Sequence, residues 1–200
     1  MFKKVMMTAA LALSIALPIS TLAASSTYTV VKGDTLWKIA VKNQVGLSEL
    51  ISLNPSIKNP DLIYPGQKII IAQNEQASVE QEVVRLVNVE RAKAGLSPLT
   101  IDWELARVAK YKSQDMHDKN YFSHTSPTYG SPFDMMKSFG ISYKSAGENI
   151  AKGQKTAAQV VNAWMNSSGH RANIMSTSYT HIGVGYVADG HYWTQMFIKK

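Results

Sequence analysis

The chain has 200 residues, of which 45% are hydrophobic and 18% are charged. These proportions are typical of globular proteins and exclude a disordered, collagenous or coiled-coil chain. Twenty-one basic and 14 acidic residues give a net charge of +7, which suits polyanionic surroundings, but the basic residues form no stripe, so we expect no nucleic-acid partner. Since the sequence has no cysteine, disulfides and thiolate nucleophiles are excluded.

The first 24 residues have the pattern of a secretory signal peptide. Lys3 and Lys4 precede an apolar run over residues 5–17, and small residues follow up to Ala24. The run is shorter than the roughly 20 residues that a membrane-spanning helix needs. We therefore expect cleavage of residues 1–24, export of the protein, and no retained membrane anchor.

Residues 28–72 follow the order strand, helix, helix, strand. Alternating residues at Tyr28–Val31 and the run Lys68–Ile71 favour strands. Between them, Asp34 or Thr35 can cap a first helix and Ser48 a second. The apolar residues expected to form the core of this small unit are Leu36, Trp37, Ile39 and Leu50.

The order of residue types in this segment resembles the LysM carbohydrate-binding module. The matching residues include Tyr28, the run Gly33–Leu36, Asn54-Pro55 and the run Leu62–Gln67. The resemblance implies a βααβ module that binds peptidoglycan, chitin or another N-acetylglucosamine polymer between its first loop and the loop before its last strand. The glycan-binding residues that it implies are Gly33, Asp34, Thr35, Leu36, Asp61, Leu62 and Ile63.

A second domain is predicted over residues 79–200, after a small, polar linker at residues 73–78. Its helix-capping signals are Ser78–Gln81, Asp102, Ser131 and Thr156–Gln159. Near its end, Asp189-Gly190 separates two strand-like runs and predicts a β-hairpin. Helices packed on an antiparallel sheet give an α+β fold class.

All five histidines lie in this second domain, which places any acid–base or metal chemistry there. Three motifs stand out in this domain. Two of them contain a histidine, Tyr121–His124 and Ser168–Met175, and the third, Gly147–Ile150, lies between these two in the sequence. Their joint occurrence resembles the CAP superfamily, also called the SCP domain, in its bacterial branch. That resemblance implies an α-β-α sandwich with an open polar cavity.

The cavity positions of the CAP superfamily correspond to His124, Glu148 and His170. A fourth position, acidic in the superfamily, is Ser167 here, and the disulfides of the superfamily are missing. The polar tetrad is therefore incomplete. In one interpretation the three residues form a site; in the other, Glu148 and the histidines complete a buried polar network that holds loops over the sheet.

Two functions remain open from the sequence. The first is a secreted, cell-wall-associated protein, extracellular or in a spore envelope, whose LysM module binds peptidoglycan and anchors a CAP domain of structural, interaction or ligand-binding role. The second is a metal-assisted wall hydrolase, with zinc held by His124 and His170 and with Glu148 as general base. No local HExxH motif supports a metal. We favour the first, non-enzymatic interpretation.

Overall fold

The computed structural model describes residues 25–72 and 76–200. The predicted signal peptide, residues 1–24, and residues 73–75 of the predicted linker lie outside the described residues. Among the helices that are described, none is both long and apolar enough to cross a membrane.

The N-terminal segment has the predicted order of elements. Strand β1 covers Ser25–Thr29, helix α1 Leu36–Lys42, helix α2 Leu47–Leu53 and strand β2 Lys68–Ala72. The two strands pair in antiparallel orientation. A small core of buried apolar side chains lies between the strands and helices: Val30, Leu36, Ile39, Ala40, Leu50, Ile69 and Ile71.

Two details of this segment differ from expectation. Trp37, expected in the core, is 62% exposed, because α1 turns Leu36 and Ile39 inward and Trp37 outward. Ser48 does not cap α2, since the helix already begins at Leu47, after Gly46, with no side-chain cap. Thr35 does cap α1, accepting a hydrogen bond from the Lys38 amide at 3.1 Å.

The C-terminal segment is built on a four-stranded sheet in the order β3-β5-β6-β4. The strands cover Thr100–Ile101 (β3), Ser145–Lys152 (β4), His181–Val187 (β5) and Tyr192–Lys199 (β6). Strands β4, β6 and β5 are antiparallel, as expected, whereas the short β3 pairs with β5 in parallel. The turn Asp189–His191 joins β5 to β6 and confirms the predicted hairpin.

Helices cover both faces of this sheet. Their bounds are Gln76–Lys93 (α3), Trp103–Asp118 (α4), Pro132–Ser138 (α5), Ala157–Met165 (α6) and Ser168–Ile174 (α7). Helices α3 and α6 share one apolar core with the sheet, and α4 and α5 share another on the opposite face. The segment is therefore the α-β-α sandwich that was expected.

The start of α3 corrects one helix-capping prediction. Because α3 begins at Gln76, Ser78–Gln81 lies inside the helix and not at its start. The side chain of Glu80 instead accepts a hydrogen bond from the Tyr186 amide of β5 at 2.8 Å. The other three capping signals are each confirmed by a side-chain hydrogen bond to the first turn of α4, α5 or α6.

Helix α4 lies unusually close to β5 because two glycines face it. A β-carbon at Gly183 would lie 2.3 Å from the Ala106 amide nitrogen, and one at Gly185 would lie 2.2 Å from the Lys110 amide nitrogen. Such distances are far below van der Waals contact. Glycine is therefore the residue type that allows this crossing, which fixes the position of α4 above the sheet.

Candidate functional site

The structure brings His124 and Glu148 into direct contact. Glu148 lies on β4, opposite Met196 of β6, on the sheet face that α4 covers. His124 lies in the loop after α4, and its Nδ1 is 2.7 Å from Glu148 Oε1. The side chain of Glu148 is 1% exposed and that of His124 is 54% exposed. The pair thus joins a buried carboxylate to an imidazole that solvent can reach.

A buried lysine holds the loop that carries His124. Lys112 of α4 is fully buried, and its Nζ donates hydrogen bonds to the His124 carbonyl at 2.8 Å and to the Tyr121 hydroxyl at 3.2 Å. One turn along α4, Asp115 accepts hydrogen bonds from the hydroxyls of Tyr121 and Ser126, both at 2.6 Å. Both ends of the loop segment are therefore fastened to the same helix.

His170 approaches the pair from α7. Asn149, fully buried next to Glu148 on β4, donates a hydrogen bond to the His170 carbonyl at 3.1 Å and accepts one from Asn173 at 2.8 Å. Burial lowers the pKa of the His170 imidazole, and positive charge on His124 lowers it further. The His170 imidazole therefore gives up its proton more readily than an imidazole in water.

The environment of Glu148 makes its carboxylate hard to ionise. Burial raises its pKa above the ordinary value, while the hydrogen bond to His124 and the charges of Lys112 and His124 act in the opposite direction. Its second oxygen, Oε2, is buried and has no hydrogen-bond partner. An unfilled buried acceptor of this kind can hold a proton or receive a donor from a ligand.

Replacing Glu148 with glutamine is expected to change how stability depends on pH. Because the pKa of Glu148 is raised in the folded state, its contribution to the free energy of unfolding is fully present below the ordinary pKa of 4.5. This contribution is lost as pH rises through the folded-state pKa. Glu148→Gln removes that loss, so its stability relative to wild type should rise between about pH 4 and about pH 8. Urea unfolding at both pH values measures the difference.

The control for this experiment is Glu90→Gln, at a surface glutamate paired with Lys93. It should shift stability little at either pH. If Glu148→Gln were destabilised equally at both pH values, burial would not be opposing the ionisation of Glu148.

The donor set does not match a catalytic zinc site. The Nδ1 atom of His124 faces Glu148, which leaves one imidazole nitrogen of His124 and the ring of His170. Within residues 25–72 and 76–200, no group of three or more histidine, aspartate or glutamate side chains is placed to hold a metal ion. Catalytic zinc uses three protein ligands, which this arrangement does not supply. Zinc at His124 and His170 stays a prediction.

A surface pocket of about 500 Å³ lies elsewhere on the C-terminal segment. Its lining includes Asp102, Tyr143, Lys144 and Lys200, and none of the three predicted cavity residues contributes to it. That pocket and the His124–Glu148 pair are therefore separate features.

The seven residues predicted to bind glycan lie in two neighbouring loops, except Leu36, which is the first residue of α1. Backbone hydrogen bonds from Val30 to Gln67 (2.9 Å) and from Gly66 to Val30 (2.8 Å) hold the bases of these loops together. In the second loop Asp61 and Leu62 are exposed, Leu62 by 51%, and Ile63 is half-buried. This loop therefore offers both polar and apolar surface.

In the first loop some residues are exposed and others hold the loop in shape. Gly33 is exposed with φ +91°, a conformation that favours glycine. Asp34 accepts hydrogen bonds from the Tyr28 hydroxyl and the Val31 amide, while Leu36 is buried in the core. Asp34 and Leu36 thus shape the loop, as Thr35 does by capping α1.

Sequence reasoning missed the two residues that support the histidines, Lys112 and Asn149. A signal for Lys112 was present, because it falls on the apolar stripe of α4 with Leu105, Ala109 and Met116. A lysine at such a position must find polar partners inside the protein. Asn149 lies inside the motif Gly147–Ile150, but its supporting role was missed because the strand that carries it was not predicted.

Comparison with known proteins agrees with this architecture. Residues 28–72 match the LysM domain, and residues 84–197 match the cysteine-rich secretory protein family, CAP. The match to CAP spans more than half of the chain. The chain therefore belongs to the cysteine-rich secretory protein family and carries a LysM domain ahead of the CAP domain, which confirms both resemblances.

Three relatives illustrate the similarity. The uncharacterized protein YkwD of Bacillus subtilis is 66% identical over 129 residues, which cover 64% of this chain and 50% of YkwD. An extracellular SCP-domain protein of Bacillus anthracis has a crystal structure with a TM-score of 0.59 and 34% identity, over 68% of this chain and 47% of that one. An endolysin of Bacillus phage B103 is 51% identical over 45 residues, 22% of this chain and 17% of the endolysin. The chain thus spans about half the length of its first two relatives.

Proposed function

We propose that this protein is exported and bound to the cell wall, where the LysM domain binds peptidoglycan and the CAP domain presents a ligand-binding site at His124, Glu148 and His170. The observation that carries the proposal is the joining of a LysM domain, with two neighbouring loops exposed, to a CAP domain. The similarity to a phage endolysin and to an extracellular SCP-domain protein supports a place at the wall. In a spore-forming host, the spore envelope is a further location of the same kind.

The exposed LysM loops have the chemistry that an N-acetylated glycan needs. Acetamido groups require hydrogen-bond partners together with an apolar contact surface. Leu62 supplies exposed apolar surface beside Asp61. On the neighbouring loop Gly33 is exposed, and a β-carbon there would have no atom within 4 Å. A single domain of this size binds weakly, and avidity would require self-association of the chain.

Leu62→Asp is expected to weaken sedimentation of the chain with purified peptidoglycan by about tenfold or more, since loss of one buried leucine contact is worth about 1.5–3 kcal/mol. The matched control is Leu53→Asp, which changes a comparably exposed leucine on α2, outside both loops. Equal sedimentation of the two variants, both folded by circular dichroism, would contradict the assignment of the glycan site to these loops.

A second function, hydrolysis of wall polymers, is favoured by one observation. Glu148 combines a raised pKa with an unpartnered buried oxygen and a contact to a solvent-exposed imidazole, properties that general acids and bases share. A digestion assay on purified walls, with wild type and Glu148→Gln, separates the two functions. Digestion by wild type that the variant loses would establish the hydrolase. No digestion by either folded protein would leave the ligand-binding function.

A further inference from the structure

Helix α2 of the LysM domain contacts helix α4 of the CAP domain. The carboxylate of Glu49 accepts a hydrogen bond from the Tyr111 hydroxyl, and its Oε2 lies 3.9 Å from Arg107 Nη1. The side chains of Glu49 and Arg107 are 39% and 25% exposed. These three residues form what we call the docking contact, which links two domains by opposite charge and one hydrogen bond.

The CAP side of the docking contact is already ordered by its own packing. The Arg107 guanidinium lies 6.0 Å from the centre of the Tyr111 ring and 5.8 Å from that of Phe139. The two rings are themselves 5.2 Å apart. Since these contacts hold Arg107 and Tyr111 in place without the LysM domain, little side-chain entropy is lost when Glu49 binds.

The LysM side permits a close approach because α2 follows a glycine. A β-carbon at Gly46 would lie 1.7 Å from Glu49 Oε2 and 2.6 Å from Arg107 Nη1, so a larger residue would displace both charged side chains of the docking contact. The predicted glycan-binding residues belong to the two loops described above and not to α2. The docking contact therefore leaves those loops available to a ligand.

A short connection between the two domains favours this polar contact. Strand β2 ends at Ala72 and α3 begins at Gln76, and the intervening residues can span about 14 Å at most when fully extended. So short a tether keeps the local concentration of one domain near the other in the millimolar range or above. The affinity that the docking contact itself must supply is correspondingly lower.

We propose that the LysM domain docks on α4 of the CAP domain through Glu49, Arg107 and Tyr111, so that the two domains move as one body. The docking itself does not depend on the proposed function. Its consequence rests on that function, because a LysM domain bound to the wall would then present the His124–Glu148 site in one fixed orientation.

The test is ¹⁵N relaxation of the chain from residue 25 onward, which reports the rotational correlation time of each domain separately. In wild type, amides of both domains should share one correlation time. Glu49→Lys places a positive charge beside Arg107 and removes the acceptor of Tyr111, so the LysM amides should then tumble faster than the CAP amides. The matched control is Glu90→Lys, which makes the same change beside Lys93 on α3 and should keep the common correlation time.

Each outcome decides the proposal. Different correlation times in wild type would overturn docking, and a common correlation time in Glu49→Lys would overturn the role of Glu49. Peptidoglycan sedimentation by the same variants keeps the two proposals apart. Loss of docking with intact sedimentation would concern the docking contact alone, whereas absent sedimentation with a common correlation time would contradict only the wall-binding function.

Discussion

Gly185→Ala is expected to destabilise the CAP domain by about 3 kcal/mol or more, enough to leave much of the protein unfolded at moderate temperature. The added methyl group would lie 2.2 Å from the Lys110 amide nitrogen and 2.3 Å from the Ala109 carbonyl carbon. Both are backbone atoms of α4, which cannot rotate away as a side chain can. Thermal or urea unfolding monitored by circular dichroism measures the loss.

The matched control is Gly169→Ala in α7, where an added β-carbon meets no atom within 4 Å. Alanine is the better helix former, so this variant should be as stable as wild type or more stable by about 0.5–1 kcal/mol. If the two variants unfolded at the same denaturant concentration, the close crossing of α4 over β5 would be wrong.

Arg91→Met is expected to cost about 3 kcal/mol or more of folding stability. Arg91 of α3 is buried, and its guanidinium donates hydrogen bonds to the carbonyls of Ser97, Ile174 and Ser176 at 2.7–2.9 Å. Methionine fills similar volume but leaves these carbonyls without a donor, two of them near the end of α7. Urea unfolding quantifies the cost.

Arg85→Met, on the same helix, is the comparison for this variant. Arg85 is exposed and pairs with Glu82 three residues earlier at 2.6 Å, and surface pairs of this kind contribute little to stability. If Arg91→Met lost no more folding stability than Arg85→Met, the hydrogen bonds between α3 and the end of α7 would not contribute to folding stability.

The order of elements was largely predictable because it depends on local signals. Thr35, Asp102, Ser131 and Thr156 cap helices, and Asp189-Gly190 forms the hairpin turn, since each acts within a few residues of itself. The same local reasoning failed at Ser78 and Ser48, where the helix continues back past a plausible capping residue. A residue type that favours helix caps also occurs inside helices, so the residue type alone does not fix where a helix begins.

Strand β4 could not be recognised from its residues, although it carries Glu148. Its sequence, Ser145–Lys152, mixes glycine, glutamate and asparagine with small apolar residues, a composition that strands usually avoid. The strand is stable because its polar side chains find distant partners: Glu148 contacts His124, and Asn149 contacts Gln195 and α7. Contacts between residues so far apart along the chain produce no hydrophobic periodicity in the sequence.

The candidate site was predicted from family resemblance and not from the spacing of its residues along the chain. His124 and Glu148 are 24 residues apart, a separation that fits many arrangements. The motifs indicated that these residues belong together, and the structure shows the contact between them. The motifs could not indicate how the histidines are supported, because Lys112 lies outside all three motifs. Both Lys112 and Asn149 donate to backbone carbonyls and not to histidine side chains.

That mode of support has an evolutionary consequence. Lys112 and Asn149 grip the main chain at positions 124 and 170, and every amino acid has a carbonyl oxygen. Selection can therefore exchange the two imidazoles for other groups while the frame around them persists. A descendant of this protein could acquire a different ligand preference by single substitutions, without having to rebuild its fold.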